Sequence, residues 1–341
     1  MVSNRTFIKI FNVTSKALLF LPPEASHFIA LQSLKFIFKL GLLKFFFSQE
    51  HKEKKEFQFF KNKVPNRLGL AAGLDKNGDY IDCLAALGFG FVELGTVTPK
   101  PQEGNPKPRM FRLKSKNSLI NKMGFNNKGV DYLVSRIYES ESNSVIGVSI
   151  GKNFDTPIEE AVIDYVFCLN KVYEVADYIV INISSPNTED LRKLESERYF
   201  ESLISSLKTS HQDLSKNHGY KPLLLKISPD MQEDQLEHLS SVILDKRVDG
   251  VICSNTSDSH NYKYGGGLSG EELFRISTNT LCLLRKKLGK EITIIASGGV
   301  MGKSHFKEKI EAGADFVQIY TGMIFEGPGL VTELIEFSNS L

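Results

Sequence analysis

The chain has 341 residues, of which 41% are hydrophobic, and a formal net charge of +2. This length allows one large domain or two smaller ones, and the near-neutral charge argues against nucleic acid as a partner. The four cysteines, Cys83, Cys168, Cys253 and Cys282, are too far apart in sequence for a CxxC zinc or iron–sulfur motif. We therefore expect no metal site and no disulfide framework.

Residues 1–55 differ in composition from the rest and predict a small helical segment. Apolar residues at helical spacing predict a first helix that ends at Pro22-Pro23. They are Phe7, Ile10, Phe11, Leu18 and Leu19. A second helix is predicted from Glu24 to about Leu43, with Pro23 in its first turn. Two basic amphipathic helices rich in Phe and Leu favour an interfacial membrane anchor. The alternative is a helical hairpin that only caps the main domain.

The stretch from Phe28 to Phe47 is long enough to suggest a transmembrane helix. It contains three lysines, however, at positions 35, 39 and 44. Each would cost about 2.5–3.5 kcal/mol near the centre of a bilayer. We find no secretory signal either. We therefore expect peripheral association with a membrane through the N-terminal helices.

From residue 56 to residue 341, short aliphatic runs alternate with stretches of helical period such as Ile158–Val175, Asp234–Leu244 and Glu271–Leu288. Eight runs predict strands of a parallel sheet that is covered on both faces. They span residues 68–72, 90–95, 145–150, 178–183, 223–227, 250–254, 292–296 and 316–320. Eight strand–helix units favour an α/β fold of the (β/α)8 TIM-barrel type. A doubly wound sheet is the competing architecture.

Polar residues and glycines follow seven of the eight predicted strands, where a barrel of this type carries its chemistry. Ser297-Gly-Gly-Val300 and Thr321-Gly322 follow strands seven and eight, the usual phosphate site. Lys226 lies inside an aliphatic strand, where a fixed ammonium group could stabilise negative charge on a bound ligand. Lys76 is a second candidate.

Four asparagines, Asn121, Asn182, Asn187 and Asn255, stand beside strand ends or conspicuous loops. Each could be a turn residue on its own. Together at one mouth, their amides could recognise a small ring that alternates C=O and N–H groups. A phosphate site next to such a cluster is suited to FMN.

Seven motifs, in this order along the chain, resemble the dihydroorotate dehydrogenase family. They are Ala71-Ala-Gly-Leu-Asp-Lys76, Gly95-Thr-Val-Thr-Pro99 with Pro101-Gln-Glu-Gly-Asn105, Asn121-Lys-Met-Gly-Phe-Asn-Asn127, Ile150-Gly-Lys-Asn153, Asn182-Ile-Ser-Ser-Pro-Asn-Thr188, Gly266-Gly-Leu-Ser-Gly270 and Gln318-Ile-Tyr-Thr-Gly322. The resemblance extends from about residue 66 to the end of the chain, and the segment ending in His27 resembles the family's N-terminal helix motif. It implies oxidation of (S)-dihydroorotate to orotate in UMP biosynthesis, with FMN as hydride acceptor.

Two features resemble the family's quinone-linked class. Ser185 stands where the soluble classes carry cysteine, and the chain has an N-terminal helical extension, which in that class forms the quinone tunnel. The resemblance implies a membrane quinone as electron acceptor and no iron–sulfur partner subunit. Because neither a presequence nor a spanning helix is evident in the sequence, we expect a place on the cytoplasmic face of a bacterial inner membrane. A soluble-class dihydroorotate or dihydropyrimidine dehydrogenase and a non-catalytic membrane-bound scaffold are the alternatives.

The resemblance also implies roles for individual residues. Ser185 would take the C5 proton while C6 gives hydride to the flavin, with Thr188 and Phe125 shaping the proton relay. The FMN positions are Ala72, Gly73, Leu74, Asp75, Lys76, Thr96, Asn182, Lys226, Ser254, Gly270, Gly299, Tyr320 and Thr321. The substrate positions are Lys76, Asn121, Lys122, Met123, Gly124, Phe125, Asn182, Asn187, Asn255 and Thr256. Arg112 and Tyr320 would face the quinone. Ser149 departs from the family, which usually has Asn at a flavin contact there.

Overall fold

The computed structural model describes residues 4–47, 55–188 and 191–341. Its helices are α1 (Asn4–Ala17), α2 (Pro23–Lys39), α3 (Leu42–Phe47), α4 (Ile81–Ala85), α5 (Val130–Tyr138), α6 (Ala161–Val172), α7 (Glu197–His218), α8 (Glu233–Asp245), α9 (Phe274–Leu288), α10 (Lys303–Glu311), α11 (Thr321–Glu326) and α12 (Gly329–Ser340). Its strands are β1 (Phe57–Phe59), β2 (Asn62–Val64), β3 (Leu68–Leu70), β4 (Phe91–Val97), β5 (Met110–Leu113), β6 (Ser118–Asn121), β7 (Val145–Ile150), β8 (Tyr178–Asn182), β9 (Leu223–Ile227), β10 (Gly250–Cys253), β11 (Gly267–Gly270), β12 (Thr293–Ser297) and β13 (Phe316–Ile319).

Eight parallel strands close into a barrel in the order β3-β4-β7-β8-β9-β10-β12-β13, and β13 pairs with β3. All eight predicted strands are confirmed, and so is the TIM barrel over the doubly wound sheet. The strands are buried almost throughout because helices cover their outer faces and side chains fill the interior. Their carboxyl ends all open at one mouth.

A plug of aromatic rings closes the opposite end of the barrel. Phe59, on the hairpin of β1 and β2, stacks on Phe91 with ring centroids 4.5 Å apart. It also meets Phe316 and Tyr178 edge-on, at 4.8 and 5.3 Å. Phe91, Tyr178 and Phe316 are the first residues of β4, β8 and β13. Such ring pairs stabilise a core beyond their buried area. We call these four rings the aromatic plug.

A second, antiparallel sheet of β5, β6 and β11 stands beside the mouth. In it β6 pairs with β5 on one side and with β11, almost 150 residues later in the chain, on the other. The pairing brings Asn121 level with Gly267 and Ser118 level with Gly270. The sheet therefore forms one wall of the mouth.

The N-terminal helices pack against the barrel near this sheet. Leu31 and Leu34 of α2 are buried, while Phe20, Phe28 and Phe36 are 84%, 60% and 64% exposed. The segment thus buries one apolar face and exposes another. No helix in the described ranges is long and apolar enough to cross a membrane.

The prediction of one continuous helix from Glu24 to about Leu43 is wrong. Helix α2 ends at Lys39, and α3 begins at Leu42. Gly41 separates them with φ +74°, a left-handed conformation that glycine adopts without steric cost and that ends α-helices. The apolar residues on both sides of Gly41 concealed this break.

Polar contacts fix α1 and α2 to the barrel domain. Asn12 Oδ1 accepts a hydrogen bond from the Gly329 amide at 2.8 Å, and Lys16 pairs with Glu326 at 3.0 Å. At the start of α2, Glu24 Oε1 lies 2.5 Å from Arg109 Nε. Burial has the largest single effect on the Glu24 carboxyl and by itself would raise its pKa. The hydrogen bond from Arg109 helps to outweigh burial, so the pKa lies below its usual value. These contacts attach both α1 and the start of α2 to the barrel domain.

Candidate active site

A polar cavity occupies the mouth of the barrel, at the carboxyl ends of the strands. Most of the residues predicted for flavin and substrate line it. They are Ala72, Gly73, Lys76, Thr96, Asn121, Met123, Gly124, Phe125, Asn182, Ser185, Asn187, Lys226, Ser254, Asn255, Thr256, Gly270, Gly299, Tyr320 and Thr321. Residues that lie up to 249 positions apart in sequence thus meet in one cavity, which we call the mouth cavity.

Five predicted residues do not line the mouth cavity. Leu74 and Arg112 line a neighbouring cavity, and Lys122 is exposed. Asp75 is buried, and its carboxylate accepts hydrogen bonds from the amides of residues 77, 79 and 80. Burial raises the pKa of Asp75. Its place is beneath the loop, where it holds the turn that presents Lys76. Thr188 is buried behind the cavity wall.

Lys226 is buried at the base of the mouth cavity, inside the barrel. Its Nζ lies 3.4 Å from Glu93 Oε1, and Gln318 Nε2 donates to Glu93 Oε2 at 2.6 Å. Glu93 has no exposed surface. A charge in such a site is tolerated only when it is paired and hydrogen-bonded. Glu93 is therefore the partner that makes a buried lysine at the base of the cavity tolerable.

The four predicted asparagines converge as two pairs. Asn255 Nδ2 donates to Asn182 Oδ1 at 3.2 Å, and Asn182 Nδ2 donates to Thr96 Oγ1 at 2.7 Å. Across the cavity, Asn187 Nδ2 donates to Asn121 Oδ1 at 2.9 Å. Asn187 Oδ1 is buried and finds no partner in the part of the chain that the structure describes. These amides offer donors and acceptors to a ring with both.

Ser185 is the nucleophilic or basic candidate in the loop after β8. It is 6% exposed, and its Oγ accepts the Asn187 amide at 3.3 Å. Nearby, the buried Thr188 Oγ1 has no hydrogen-bond partner among the described residues, which exclude 189 and 190. Phe125 has φ +51°, and its ring lies so close to Gly151 that a Cβ there would be 2.9 Å from it. A buried serine followed three residues later by a buried hydroxyl without a partner among the described residues is suited to proton transfer through a water.

Lys76 enters the mouth cavity from the loop after β3. Its Nζ donates to the Gly73 carbonyl at 3.2 Å. Burial, with repulsion from Arg109 second, lowers the pKa of Lys76 to about 8. The group is still mostly protonated at neutral pH and would bind an anionic substrate group.

Glycines after β12 and β13 form a close-fitting cradle at the edge of the mouth cavity. Gly299 has φ +79°, and a Cβ there would lie 2.4 Å from Phe274 Cα. A Cβ on Gly322 would lie 2.2 Å from the Val300 carbonyl. Only glycine allows this close packing of the loops, and backbone amides at such strand ends are suited to binding a ligand phosphate. This cradle, with Lys226 below and a broad polar mouth between, fits FMN.

Ser149, the departure from the family pattern, lies buried on β7. Its Oγ is 2.8 Å from Thr96 Oγ1. It does not line the mouth cavity, but it supports Thr96, which does. The shorter side chain is thus absorbed into a hydrogen-bonded chain with Thr96 and Asn182.

A second cavity lies under the N-terminal helices, and its lining is mainly apolar. It runs between α1, α2 and α11, and Leu31, Leu34 and Met323 contribute to it. Met110 and Leu119 line both cavities, so the two share a wall. We call it the helix cavity.

Polar groups are few in the helix cavity. Arg112 Nη1 donates to the carbonyls of Leu19 and Leu21, and its buried Nε has no partner among the described atoms. Burial lowers the pKa of His27 to about 4, with Lys76 adding repulsion. Tyr320 lines the mouth cavity and not the helix cavity.

Sequence reasoning missed several residues of the site. Glu93 and Gln318 form the buried network under Lys226, and Met110 and Leu119 form the wall between the cavities. A glutamate within a run that is otherwise apolar was a readable signal. Nothing local marks Met110 or Leu119.

The fold and the cavity define an enzyme-type TIM barrel with a glycine cradle and a polar mouth. A family model described as dihydroorotate dehydrogenase matches residues 55–339. The chain belongs to the dihydroorotate dehydrogenase family, as its motifs indicated.

Curated relatives and solved structures agree. The chain is 44% identical over 324 residues to a protein of Nitrosospira multiformis, covering 93% of this chain and 92% of the relative. It is 50% identical over 279 residues to one of Azoarcus sp. strain BH72, covering 80% and 82%. Both are named dihydroorotate dehydrogenase (quinone). A crystal structure of DHODH from Eimeria tenella in complex with ferulenol superposes with a TM-score of 0.80 at 32% identity, covering 89% of each chain.

Proposed function

We propose that this chain oxidises (S)-dihydroorotate to orotate in UMP biosynthesis, with FMN in the mouth cavity and a membrane quinone in the helix cavity. The observation that carries the proposal is the shared wall of Met110 and Leu119. A polar site for a flavin and an anionic ring is thereby placed against an apolar site. Electrons could pass between ligands of the two cavities without any chain movement.

FMN would be held at three places. The cradle at Gly299, Gly322 and Thr321 would bind its phosphate, and the Asn182–Thr96 chain would bind polar edges of its ring system. When bound, FMN supplies the hydride acceptor and the route for electrons to the quinone. Lys226, which pairs with Glu93, would favour negative charge on the ring above it.

The remaining cavity residues would bind and deprotonate the substrate. Lys76 would pair with the substrate carboxylate, and the pairs Asn121–Asn187 and Asn182–Asn255 would bind the ring amides. Ser185 would take the C5 proton. Because a serine hydroxyl is a weak base, that proton must pass on. The Thr188 hydroxyl, which has no partner among the residues that the structure describes, is a suitable next group.

The helix cavity would admit the quinone. Its lining is apolar, and Arg112 offers a donor with one unpaired N–H at the Met110–Leu119 end of the site. The exposed Phe20, Phe28 and Phe36 would lie in the membrane interface next to its opening. We place the protein at the cytoplasmic face of a bacterial inner membrane, with residues 1–55 as the membrane and tunnel segment and 56–341 as the catalytic domain.

The proposal is tested anaerobically on the purified yellow protein. Dihydroorotate should bleach the flavin absorbance, and a soluble quinone added afterwards should restore it. Bleaching without recovery would refute the quinone as acceptor. Absence of flavin, or of bleaching, would refute the dehydrogenase activity and favour a non-catalytic scaffold.

Membrane association is tested separately by sedimentation with anionic vesicles. Phe20→Ser and Phe36→Ser should each weaken binding. Ile163→Ser is the matched control, because Ile163 is 62% exposed on α6, away from the N-terminal helices. Equal loss of vesicle binding in all three variants, or no loss in any, would contradict membrane contact through the N-terminal helices.

A further inference from the structure

Lys309 is a fully buried lysine that the proposed reaction does not use. It lies on α10, has no exposed surface, and its Nζ donates to Ser277 Oγ at 2.6 Å. The ammonium group also lies 5.1 Å from the centre of the Phe274 ring. Within the described ranges, no carboxylate forms a salt bridge with it.

An unpaired buried cation is costly, so the chain has to offset it in some other way. Burial lowers the pKa of Lys309 to about 8, which leaves it mostly protonated at neutral pH. The nearest acidic candidates do not neutralise it. Glu308 pairs with Arg275 on the surface, and burial raises the pKa of the Cys253 thiol to about 12.

The lysine lies directly behind the glycine cradle. Ser277, its hydrogen-bond partner, donates from Oγ to the Gly298 carbonyl at 3.0 Å. A Cβ on Gly298 would lie 2.9 Å from the same Oγ, and one on Gly299 would lie 2.4 Å from Phe274 Cα. The loop therefore rests on the two residues that contact Lys309. Its other face, at Ser297–Val300, lines the mouth cavity.

We propose that Lys309 is a buried counter-charge for the flavin phosphate and that it makes the site select FMN over riboflavin. It acts as a positioning residue: its bond to Ser277 fixes the loop, and its charge favours a dianion on the loop's far side. A dianion there would in turn stabilise the protonated lysine, and it would give the ammonium the counter-charge that the described residues do not supply. The inference rests on the proposed function in placing flavin at this loop.

The test compares the affinities of FMN and riboflavin for the deflavinated full-length chain, measured by quenching of flavin fluorescence. Lys309→Gln keeps a donor for Ser277 and removes the charge, while Lys309→Met removes both. Each should weaken FMN binding about tenfold and change riboflavin binding less than about twofold, the size expected for one partly screened charge interaction. Lys307→Met is the matched control, because that lysine is exposed on the same helix. It should change neither affinity.

Equal weakening of both flavins, or no change in FMN affinity, would overturn the inference, since a packing role does not distinguish the phosphate. Loss of folding in both Lys309 variants would also overturn it, by making the lysine structural. A parent chain that binds both flavins equally would refute the inference and leave the proposed function standing. A parent chain that binds neither would refute the proposed function itself.

Discussion

Replacing Lys226 by methionine should destabilise the protein strongly, because it strands a carboxylate inside the barrel. Glu93 has no exposed surface, and Lys226 Nζ is its cationic partner at 3.4 Å. Breaking a buried pair by removing one side costs about 3–5 kcal/mol. With about 2.1 cal/mol/K of unfolding entropy per residue, a chain of 341 residues should lose roughly 4–7 °C in Tm.

The assay is thermal unfolding of Lys226→Met, Glu93→Gln and the double variant, with and without added FMN. Neutral glutamine can still accept the bond that Gln318 donates. The double variant should therefore recover most of the stability that Lys226→Met loses. It should not recover the rate of flavin reduction by dihydroorotate, because the positive charge beneath the ring is still absent.

The reasoning fails if the double variant unfolds at the same temperature as Lys226→Met, since the stranded carboxylate would then not be the cause. It fails equally if Lys226→Met unfolds within about 1 °C of the parent protein. If the double variant recovered the rate of flavin reduction, the electrostatic role proposed for Lys226 would be refuted.

Three further outcomes are expected. Ser185→Ala should keep its flavin but slow reduction by dihydroorotate at least about 100-fold in stopped flow; the parent rate near neutral pH would contradict the base assignment. Ala30→Phe places a ring in the helix cavity. It should raise the KM for a soluble quinone about tenfold or more and leave the rate of flavin reduction unchanged. Equal loss in both half-reactions would count against two separate sites. Burial raises the pKa of Glu195 from 4.5 to about 8. The folded state therefore binds more protons than the unfolded state between these values, and the unfolding free energy falls as pH rises through them. In Glu195→Gln, the unfolding free energy measured by urea titration should differ less between pH 5 and pH 8.5 than in the parent protein. An unchanged difference would contradict a raised pKa for Glu195.

The barrel could be predicted from the sequence because its signals are local. Each strand is a short aliphatic run, and the polar residues that follow the runs end up together once the sheet closes. The motifs then identified the family and most of the mouth cavity. Gly41 was also a local signal, and the predicted helix through it overlooked the usual meaning of an isolated glycine.

The remaining features depend on pairings that no local pattern contains. Glu93 meets Lys226 across the barrel from 133 positions away. The wall between the cavities uses Met110 and Leu119, which are brought there by the antiparallel pairing of β5 with β6. Methionine and leucine are ordinary core residues in any sequence. Their function follows only from which cavities they adjoin.

The aromatic plug has a consequence for how this protein could be adapted to heat. Phe59 and its three neighbours hold the end of the barrel that lies farthest from both cavities. Stabilising substitutions often reduce activity where they stiffen a site that must move or carry strain. At the plug no such conflict arises, so tighter packing there offers a route to thermal robustness that leaves turnover intact. Substitutions intended to raise the thermal stability of this enzyme should therefore be tried first at the aromatic plug.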